Sequence, residues 1–318
     1  MESFWRDARY GLRQLVRERA FSAVVLLTLG VCIGAHVAIF SVIETVVLRP
    51  LPYPDPDRLV TLYNSYPGAG VERASNAGID YFLRRERVAA LAEVALYQGS
   101  RHTVGEAGGT ERIETMRVTA SYFTLLGVEP ALGRAFTEQE MDEGTAQKVV
   151  LTHGFWQERY AGAADAVGRE LRVDGRPFTI VGVLPEDFRV VGQPEVRFFV
   201  PIAFTERERT MESWHNNNFQ MVGRLAPGAT LEQAREQIEA LNASLVAESN
   251  IPNIQQLVQD AGYHTVVVGA QDDLLRDVRP LLYLDPSFLH LTSAQAVLRP
   301  AKAVWPPAKR RLEGPLRR

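Results

Sequence analysis

The stretch "LLTLGVCIGAHVAIFSVIETVVL", residues 26–48, decides the fold of this chain. It belongs to a window from Ala20 to Ile43, 24 residues long, that contains no charged side chain. A helix of that length measures about 36 Å, enough to cross a hydrocarbon core of about 30 Å. A cleavable signal peptide has an apolar region of only about 7–15 residues, and a core helix that is apolar on every side for this length is unusual. The stretch therefore predicts a transmembrane helix over residues 21–48.

The segment before the predicted span is basic. Residues 1–20 carry five arginines against three acidic residues, which gives a net charge of +2. The apolar residues fall on one helical face and the arginines on another, which predicts a cytoplasmic amphipathic helix in the membrane interface. The alternative is an ordinary surface helix, which we disfavour because the span follows at once. By the positive-inside bias the N-terminus stays in the cytoplasm and the following domain lies on the far side.

Four residues of the span are candidates for a role inside the membrane. Gly30 and Gly34 form a small-xxx-small pair that allows close packing against another span. Glycine is also simply common in membrane helices, so both interpretations stay open. His36 lies near mid-membrane, where ionisable groups are functional candidates by default, although a neutral imidazole bonded to a neighbouring helix is the plainer alternative. Glu44 lies near the outer end, where a carboxylate can reach the headgroups, so we interpret it as a boundary residue.

The chain has one cysteine, Cys32, in a loose likeness to a lipoprotein box. Val31 stands where that box needs a small residue, and eleven uncharged residues follow the cysteine. Both features argue against lipidation. A single cysteine also excludes an internal disulfide, which the domain can do without even in an oxidising compartment.

Charge is distributed unevenly over the 318 residues. The total is −3; residues 1–20 carry +2, residues 21–49 are neutral overall and residues 285–318 carry +5, so residues 50–284 carry −10. A domain this acidic argues against nucleic acid as a partner.

Residues 49–284 predict a mixed α+β extramembrane domain. Four prolines between Pro50 and Pro56 prevent the helix from continuing and favour an extended exit. Two β-rich runs within 168–185 flank Asp174-Gly175, a dipeptide preferred in tight hairpins. The other predicted strands are residues 58–66, 91–99, 111–119, 148–152, 196–203, 218–225 and 263–270. The predicted helices are residues 75–86, 120–127 and 153–160, and one that starts at a capping box of Thr230 and Gln233.

Motifs for catalysis and cofactor binding are missing. There is no H-E-x-x-H, no G-x-S-x-G and no Gly-Lys dipeptide, so no P-loop is present, and the six histidines are scattered. Asp272-Asp273 is better explained as a helix start than as a metal site. We therefore expect no catalytic residues, no cofactor and no metal ion, and we expect that the chain is not an enzyme.

The order of parts resembles the bacterial ABC-transporter permeases that have a MacB-like periplasmic core domain. The opening through Val60 is similar to the start of the acidobacterial-type, FtsX-like members. Further similar stretches are "VTASYFTLLGVEPALGRAF" (118–136), "VVLTHGFWQERYAG" (149–162), "VGRELRVDGRPFTIVGVLPEDF" (167–188), "FQMVGRLAPGATLEQA" (219–234) and "LLRDVRPLLYL" (274–284). Together with the opening, these stretches extend over residues 1–284. Each is a weak match by itself, and only their combination is specific to the family.

The resemblance implies a location and partners. The domain would stand in the periplasm, anchored in the lipid bilayer of the inner membrane by the single span. It would couple a separate ATP-binding subunit to an event outside the cytoplasm, and a homodimer follows from the family alone. No family motif carries a catalytic residue onto this chain.

The C-terminal part departs from the family pattern. Residues 285–318 form a basic, Pro-rich tail with no window that could cross a bilayer, where the family continues into apolar spans. We expect a frameshift or truncation near codon 284, before the second span, and a genuine basic tail is the alternative. Accordingly, the first function hypothesis is a permease subunit or a truncated fragment of one. The alternative is a membrane-anchored periplasmic interaction or sensor module without transport activity, and the third is a secreted or lipid-anchored enzyme.

Overall fold

The structure, a computed structural model, describes residues 19–43, 50–105, 109–190, 193, 195–249 and 252–276. Its first element is a continuous apolar helix, α1, at Arg19–Ile43. Residues 20–37 of α1 have a mean hydropathy of 2.1 and are almost entirely exposed, and among the described residues this is the one helix long and apolar enough to cross a membrane. The uncharged window predicts a transmembrane helix, whose apolar surface faces lipid, and the exposed surface of α1 agrees with this prediction.

The extramembrane part contains strands and helices in mixed order. The strands are β1 (Leu59–Tyr66), β2 (Val71–Ala74), β3 (Leu91–Val104), β4 (Glu111–Val118), β5 (Leu132–Gly133), β6 (Lys148–Leu151), β7 (Glu170–Val173), β8 (Arg176–Val183), β9 (Phe198–Pro201), β10 (Gln220–Leu225) and β11 (His264–Gly269). The helices are α2 (Gly78–Arg87), α3 (Ser121–Leu126), α4 (His153–Tyr160), α5 (Leu231–Glu248), α6 (Ile254–Ala261) and α7 (Ala270–Leu275).

The described strands join into one sheet with the order β11-β1-β10-β3-β4-β9-β6-β8-β5, with β2 beside β1 and β7 beside β3 and β8. Most neighbours are antiparallel, and the parallel pairs are β4–β9 and β6–β8. The predicted α+β class is confirmed. All the strands and helices predicted for residues 58–270 are present, with ends shifted by a few residues.

Two local predictions are confirmed in detail. Val173 pairs with Arg176 across the hairpin of β7 and β8, and the two residues between them, Asp174 and Gly175, have φ of 48° and 76°. Positive φ at both central positions is the backbone that such a two-residue turn requires. The α5 capping box also forms, since Thr230 Oγ1 accepts the Gln233 N–H at 3.2 Å and the Thr230 N–H donates to Gln233 Oε1 at 2.9 Å.

The apolar core consists of two clusters on the same sheet. The larger lies against α2, α3 and α5, where Phe123 packs edge-to-face on Phe199 with ring centroids 5.1 Å apart. The smaller is built from β6 to β9 and α4 around Phe155, Leu171 and Phe198. The apolar residues of α5 form its buried face, with Ala234, Ile238, Leu241 and Leu245 buried and Leu231 half-buried.

The two ends of the extramembrane domain meet. A short turn at Pro56–Arg58 leads into β1, and α7 packs against both that turn and β1. Arg73 of β2 and Asp273 of α7 also form an ion pair there. Residues 56–58, near the start of the described part of the domain, and residues 270–275, near its end, therefore lie at the same pole.

Some predictions fall outside the described residues. These are the amphipathic helix apart from its last residues, Glu44, the stretch 277–284 and the tail 285–318. The sequence missed β2, β5 and α6, whereas α7 begins with Asp272 and Asp273 in its first turn, as a helix start should.

Candidate functional site

The predicted packing pair, Gly30 and Gly34, lies open on α1. A Cβ built on either glycine meets nothing within 4 Å. Both positions therefore leave a shallow, unoccupied surface on an exposed apolar helix. Helix packing through them stays a prediction.

His36 is bonded within its own helix. Its Nδ1 lies 2.7 Å from the carbonyl oxygen of Cys32, one turn earlier, which makes that nitrogen the donor. This bond holds the imidazole against the backbone of its own helix, and a bond from the ring to a neighbouring helix stays a prediction. Cys32 is a free, exposed thiol.

The most deeply buried charge of the domain is the guanidinium of Arg84 on α2, which is 1% exposed. Its Nη1 donates to Asn76 Oδ1 at 2.6 Å, and its Nη2 donates to Asn64 Oδ1 at 3.0 Å and to Thr265 Oγ1 at 3.2 Å. A buried charge is tolerated only when it is hydrogen-bonded and paired. These acceptors come from β1, the chain after β2, and β11, so the side chain joins three parts of the fold.

Asp80 is the counterion of Arg84. Its Oδ2 lies 3.8 Å from Arg84 Nη2, one helical turn away, and Asp80 itself is 2% exposed. The same oxygen accepts the backbone N–H of Ala77 at 3.0 Å and Asn64 Nδ2 at 3.3 Å. Asp80 thus caps the N-terminus of α2, where a negative charge is favourable. We call Asn64, Asn76, Asp80, Arg84 and Thr265 the polar core.

A chain of hydrogen bonds leads from the polar core to residues 205–218, here called the 205–218 segment. Asn64 Nδ2 donates to Asn217 Oδ1 at 3.1 Å, and Asn217 Nδ2 donates to the Tyr66 hydroxyl at 2.9 Å. The Tyr66 hydroxyl lies 2.7 Å from His215 Nδ1. The Tyr66 oxygen accepts from Asn217, and its hydroxyl can either donate to His215 Nδ1 or accept from it.

Aromatic rings enclose His215. Its centroid lies 4.1 Å from that of Trp214, 4.8 Å from Tyr263 and 5.7 Å from Tyr66. Trp214 is 5% exposed, and its Nε1 and His215 Nε2 are both buried without a hydrogen-bond partner among the described residues. Desolvation by burial lowers the pKa of His215, and the negative charge of Asp80 only partly opposes this.

A second group, Ser100, His102 and Asp174, has the order of a catalytic triad. His102 Nδ1 lies 2.6 Å from Asp174 Oδ2, and His102 Nε2 lies 3.4 Å from Ser100 Oγ. The serine hydroxyl is closer to Thr115 Oγ1, at 2.8 Å, which directs it across the strand pair and away from the imidazole. The long Ser100 contact and the competing bond to Thr115 argue against an activated serine nucleophile. The three side chains instead connect β3 to the β7–β8 turn.

The Asp174 carboxylate is stabilised in its charged form. Desolvation raises the pKa of Asp174, but the bond from His102 and the Thr103 N–H, which donates at 2.8 Å, outweigh it and leave the pKa below its ordinary value. Both donors come from β3. Asp174 therefore ties the hairpin turn to the sheet in addition to forming the turn.

An open polar cleft lies between the turn at Glu138–Met141 and strands β6 to β8. Its volume is about 480 Å³, and its charged lining residues are Glu140, Lys148 and Glu170. Arg134 pairs with Glu140 at 2.7 Å, so one of the three charges is already neutralised. Within the described residues no group of three His, Cys, Asp or Glu side chains is placed to hold a metal ion.

Sequence reasoning missed the polar core because its members are far apart in the chain. The one local signal is the spacing of Asp80 and Arg84, four residues apart as in a helical ion pair. Asn64 and Thr265 read as ordinary polar positions of strands, and only the pairing of β1 with β11 brings them together.

A family model described as the MacB-like periplasmic core domain matches residues 22–241. Relatives of known name include the macrolide export ATP-binding/permease protein MacB of Shigella dysenteriae and of Escherichia coli K12, each 26% identical over 125 residues. The matched segment spans 39% of this chain and 19% of each relative.

Solved structures also match. A domain described as that of a permease protein from Porphyromonas gingivalis superposes with a TM-score of 0.50 at 18% identity, and the match covers 68% of this chain and 92% of that one. The periplasmic region of MacB from Actinobacillus actinomycetemcomitans matches with a TM-score of 0.44 at 13% identity, over 70% of this chain and 92% of that one.

Proposed function

The chain belongs to the family of the MacB-like periplasmic core domain, which is a domain of ABC-type transporter permeases, and we propose that it couples a separate ATP-binding subunit in the cytoplasm to an event outside the membrane. A periplasmic domain family and an N-terminal apolar helix together fit an inner-membrane protein.

The proposed topology has one span among the described residues, α1, with the N-terminus inside. The five arginines of residues 1–20 favour the cytoplasm, and the apolar window is long enough to span. Residues 1–20 would lie in the cytoplasmic interface, 21–48 in the bilayer, and 49–284 outside. Gly30 and Gly34 would face a second span, either of another subunit or of a second copy in a homodimer.

The observation that carries the coupling proposal is the meeting of both domain ends at one pole. The turn at Pro56–Arg58 follows the span, and α7 packs on it. A displacement of α1 by a cytoplasmic subunit would therefore act on the entry and the exit of the domain together. The polar core links this pole to the interior through β1 and β11, so the domain would move as a body. Such a role is mechanical and needs no catalytic group in this chain.

The test reconstitutes the full chain in nanodiscs with an ATP-binding subunit of the same cell. Hydrogen–deuterium exchange is measured with and without a non-hydrolysable ATP analogue. We expect nucleotide to change exchange in residues 50–58 and 270–276, and to have no effect when the P-loop lysine of the subunit is replaced. Stable binding of the subunit with no change in either range would contradict coupling.

The same experiment separates the alternative, an anchored interaction or sensor module. A module of that kind would leave the ATP-binding subunit unbound and would take its ligand through residues 50–276. Absence of binding by every ATP-binding subunit tried, together with tight binding of a soluble periplasmic protein, would favour it.

A further inference from the structure

The 205–218 segment is attached to the domain chiefly through side chains. Its regular structure in the described residues is limited to two short turns, Arg207–Arg209 and Met211–Ser213. Near one end Arg209 donates to the Met141 carbonyl at 3.2 Å and pairs with Asp142. At the other end the Asn218 N–H donates to the Asn76 carbonyl at 3.1 Å. The middle of the segment is attached to the domain through the side chains of Trp214, His215 and Asn217.

The contact between Tyr66 and His215 satisfies one ring nitrogen only. The Tyr66 hydroxyl and His215 Nδ1 lie 2.7 Å apart and share one hydrogen bond, whichever of the two donates. A protonated ring carries hydrogens on both nitrogens, and while its Nδ1–H can donate to the Tyr66 oxygen, Nε2 is buried without a partner among the described residues. Protonation therefore places a charged ring with an unsatisfied N–H among buried aromatic side chains.

The surroundings of His215 oppose the new charge. Tyr66 at the end of β1, Tyr263 before β11, and Trp214 of the segment itself present aromatic rings. From α2, Asp80 and Arg84 are the charged groups that face this region, and they are bonded to each other through the polar core. Attraction to aromatic faces offsets part of the cost, but burial without a partner for Nε2 prevails.

We infer that the 205–218 segment is a pH-operated latch, closed on the domain while His215 is neutral and released when His215 is protonated. Opening exposes Trp214 and the end of β1, and it disconnects Asn217 from the polar core. The inference concerns the domain alone and does not depend on the proposed ATP-binding partner.

The direction of the pH dependence follows from linkage. Burial lowers the pKa of His215 in the closed segment below the ordinary value of about 6.5 that applies once the segment is open. Closure is therefore fully stable above the ordinary pKa and weakens as the pH falls toward the lowered one. Between the two values, the population of the open form rises about tenfold for each pH unit.

The test is hydrogen–deuterium exchange on the full chain in detergent at about pH 8 and about pH 5, corrected for intrinsic exchange. We expect exchange in residues 211–217 of the native chain to rise at least about threefold at the lower pH, with little change in α5. His215→Gln, which keeps an acceptor but cannot be protonated, should show no difference between the two pH values. His264→Gln, a matched change beside Tyr263, should keep the native response.

A second variant addresses the bond itself. Tyr66→Phe removes the hydroxyl while leaving the ring, so residues 211–217 should already exchange faster at about pH 8, and faster still at about pH 5 because the buried imidazole can still be protonated. Equal exchange of the native chain at both pH values would overturn the latch. A native-like acid response in His215→Gln would overturn it as well.

Discussion

At the scale of single residues, the domain is organised by one buried arginine and its aspartate. Arg84 and Asp80 are both nearly inaccessible, and each uses the polar atoms of strands that are distant in sequence. Desolvation of the two charges cancels much of their attraction, so such a pair adds little to the free energy of folding. Its main contribution is to specify how the elements that it joins are arranged. The polar core therefore fixes how α2 sits on β1 and β11.

Removing one member of the pair should be costly. Arg84→Met leaves Asp80 buried without its counterion, and we expect a loss of about 3–5 kcal/mol in the free energy of unfolding, measured by urea denaturation of the full chain in detergent. The control is Arg87→Met on the same helix, where the side chain is 43% exposed and 3.7 Å from Glu248, and where the loss should stay below about 1 kcal/mol.

The double variant Asp80→Asn with Arg84→Met removes both charges. It should be less destabilised than Arg84→Met alone, since no unpaired charge remains. A double variant that loses as much as the sum of the two single variants would show that the two side chains act independently, against the pairing described above.

At the scale of elements, α6 is positioned by a close approach of two backbones. Gly68 lies against the C-terminal end of α6, where a Cβ would collide with the Asp260 carbonyl oxygen and approach the Ala261 carbonyl carbon to 3.0 Å. Gly68→Ala should therefore push α6 away and cost about 1–3 kcal/mol in thermal unfolding. Gly154→Ala in α4, where a Cβ meets nothing within 4 Å, should be neutral or slightly stabilising.

Helix α5 also protects an edge of the sheet. Among the described strands β11 pairs with β1 alone, and α5 covers its other side. The Thr265 N–H donates to Glu239 at 3.4 Å, and Arg235 Nε donates to the Val267 carbonyl at 3.0 Å. Open edges invite pairing with another chain, and charged side chains are a common protection against it.

Loss of this protection should promote aggregation. Arg235→Ala with Glu239→Ala leaves backbone groups of β11 unbonded, and we expect light scattering of the detergent-solubilised chain at 37 °C to rise several times faster than in the native protein. Glu236→Ala removes an exposed charge from the same helix and should behave like the native chain. Identical scattering from all three proteins would mean that α5 covers the edge without the two side chains.

Most elements were predictable because their signals are local. The Asp174-Gly175 turn, the capping box of α5 and the alternating strands each depend on residues within a few positions. The missed elements lack such signals: β2 is largely exposed, and α6 buries only Ile254. The polar core and the enclosure of His215 depend on contacts between residues up to 201 positions apart, which no local pattern encodes.

At the scale of the whole molecule, one apolar helix among the described residues precedes an α+β domain whose two ends share a pole. The family model and the exposed helix agree on a domain attached to a membrane. The proposed coupling requires the domain to lie on the outer side of the membrane. The positive charge of residues 1–20 favours the cytoplasm for the N-terminus, which places the domain on that outer side if α1 crosses the membrane once.

Cysteine accessibility in spheroplasts tests this claim most directly. In a Cys32→Ala background, Ala240→Cys places a thiol on the exposed face of α5, and Ser3→Cys places one before the span. A membrane-impermeant maleimide should label Ala240→Cys in intact spheroplasts and Ser3→Cys only after lysis. Labelling of Ser3→Cys in intact spheroplasts, with Ala240→Cys protected until lysis, would contradict a periplasmic domain and with it the proposed coupling.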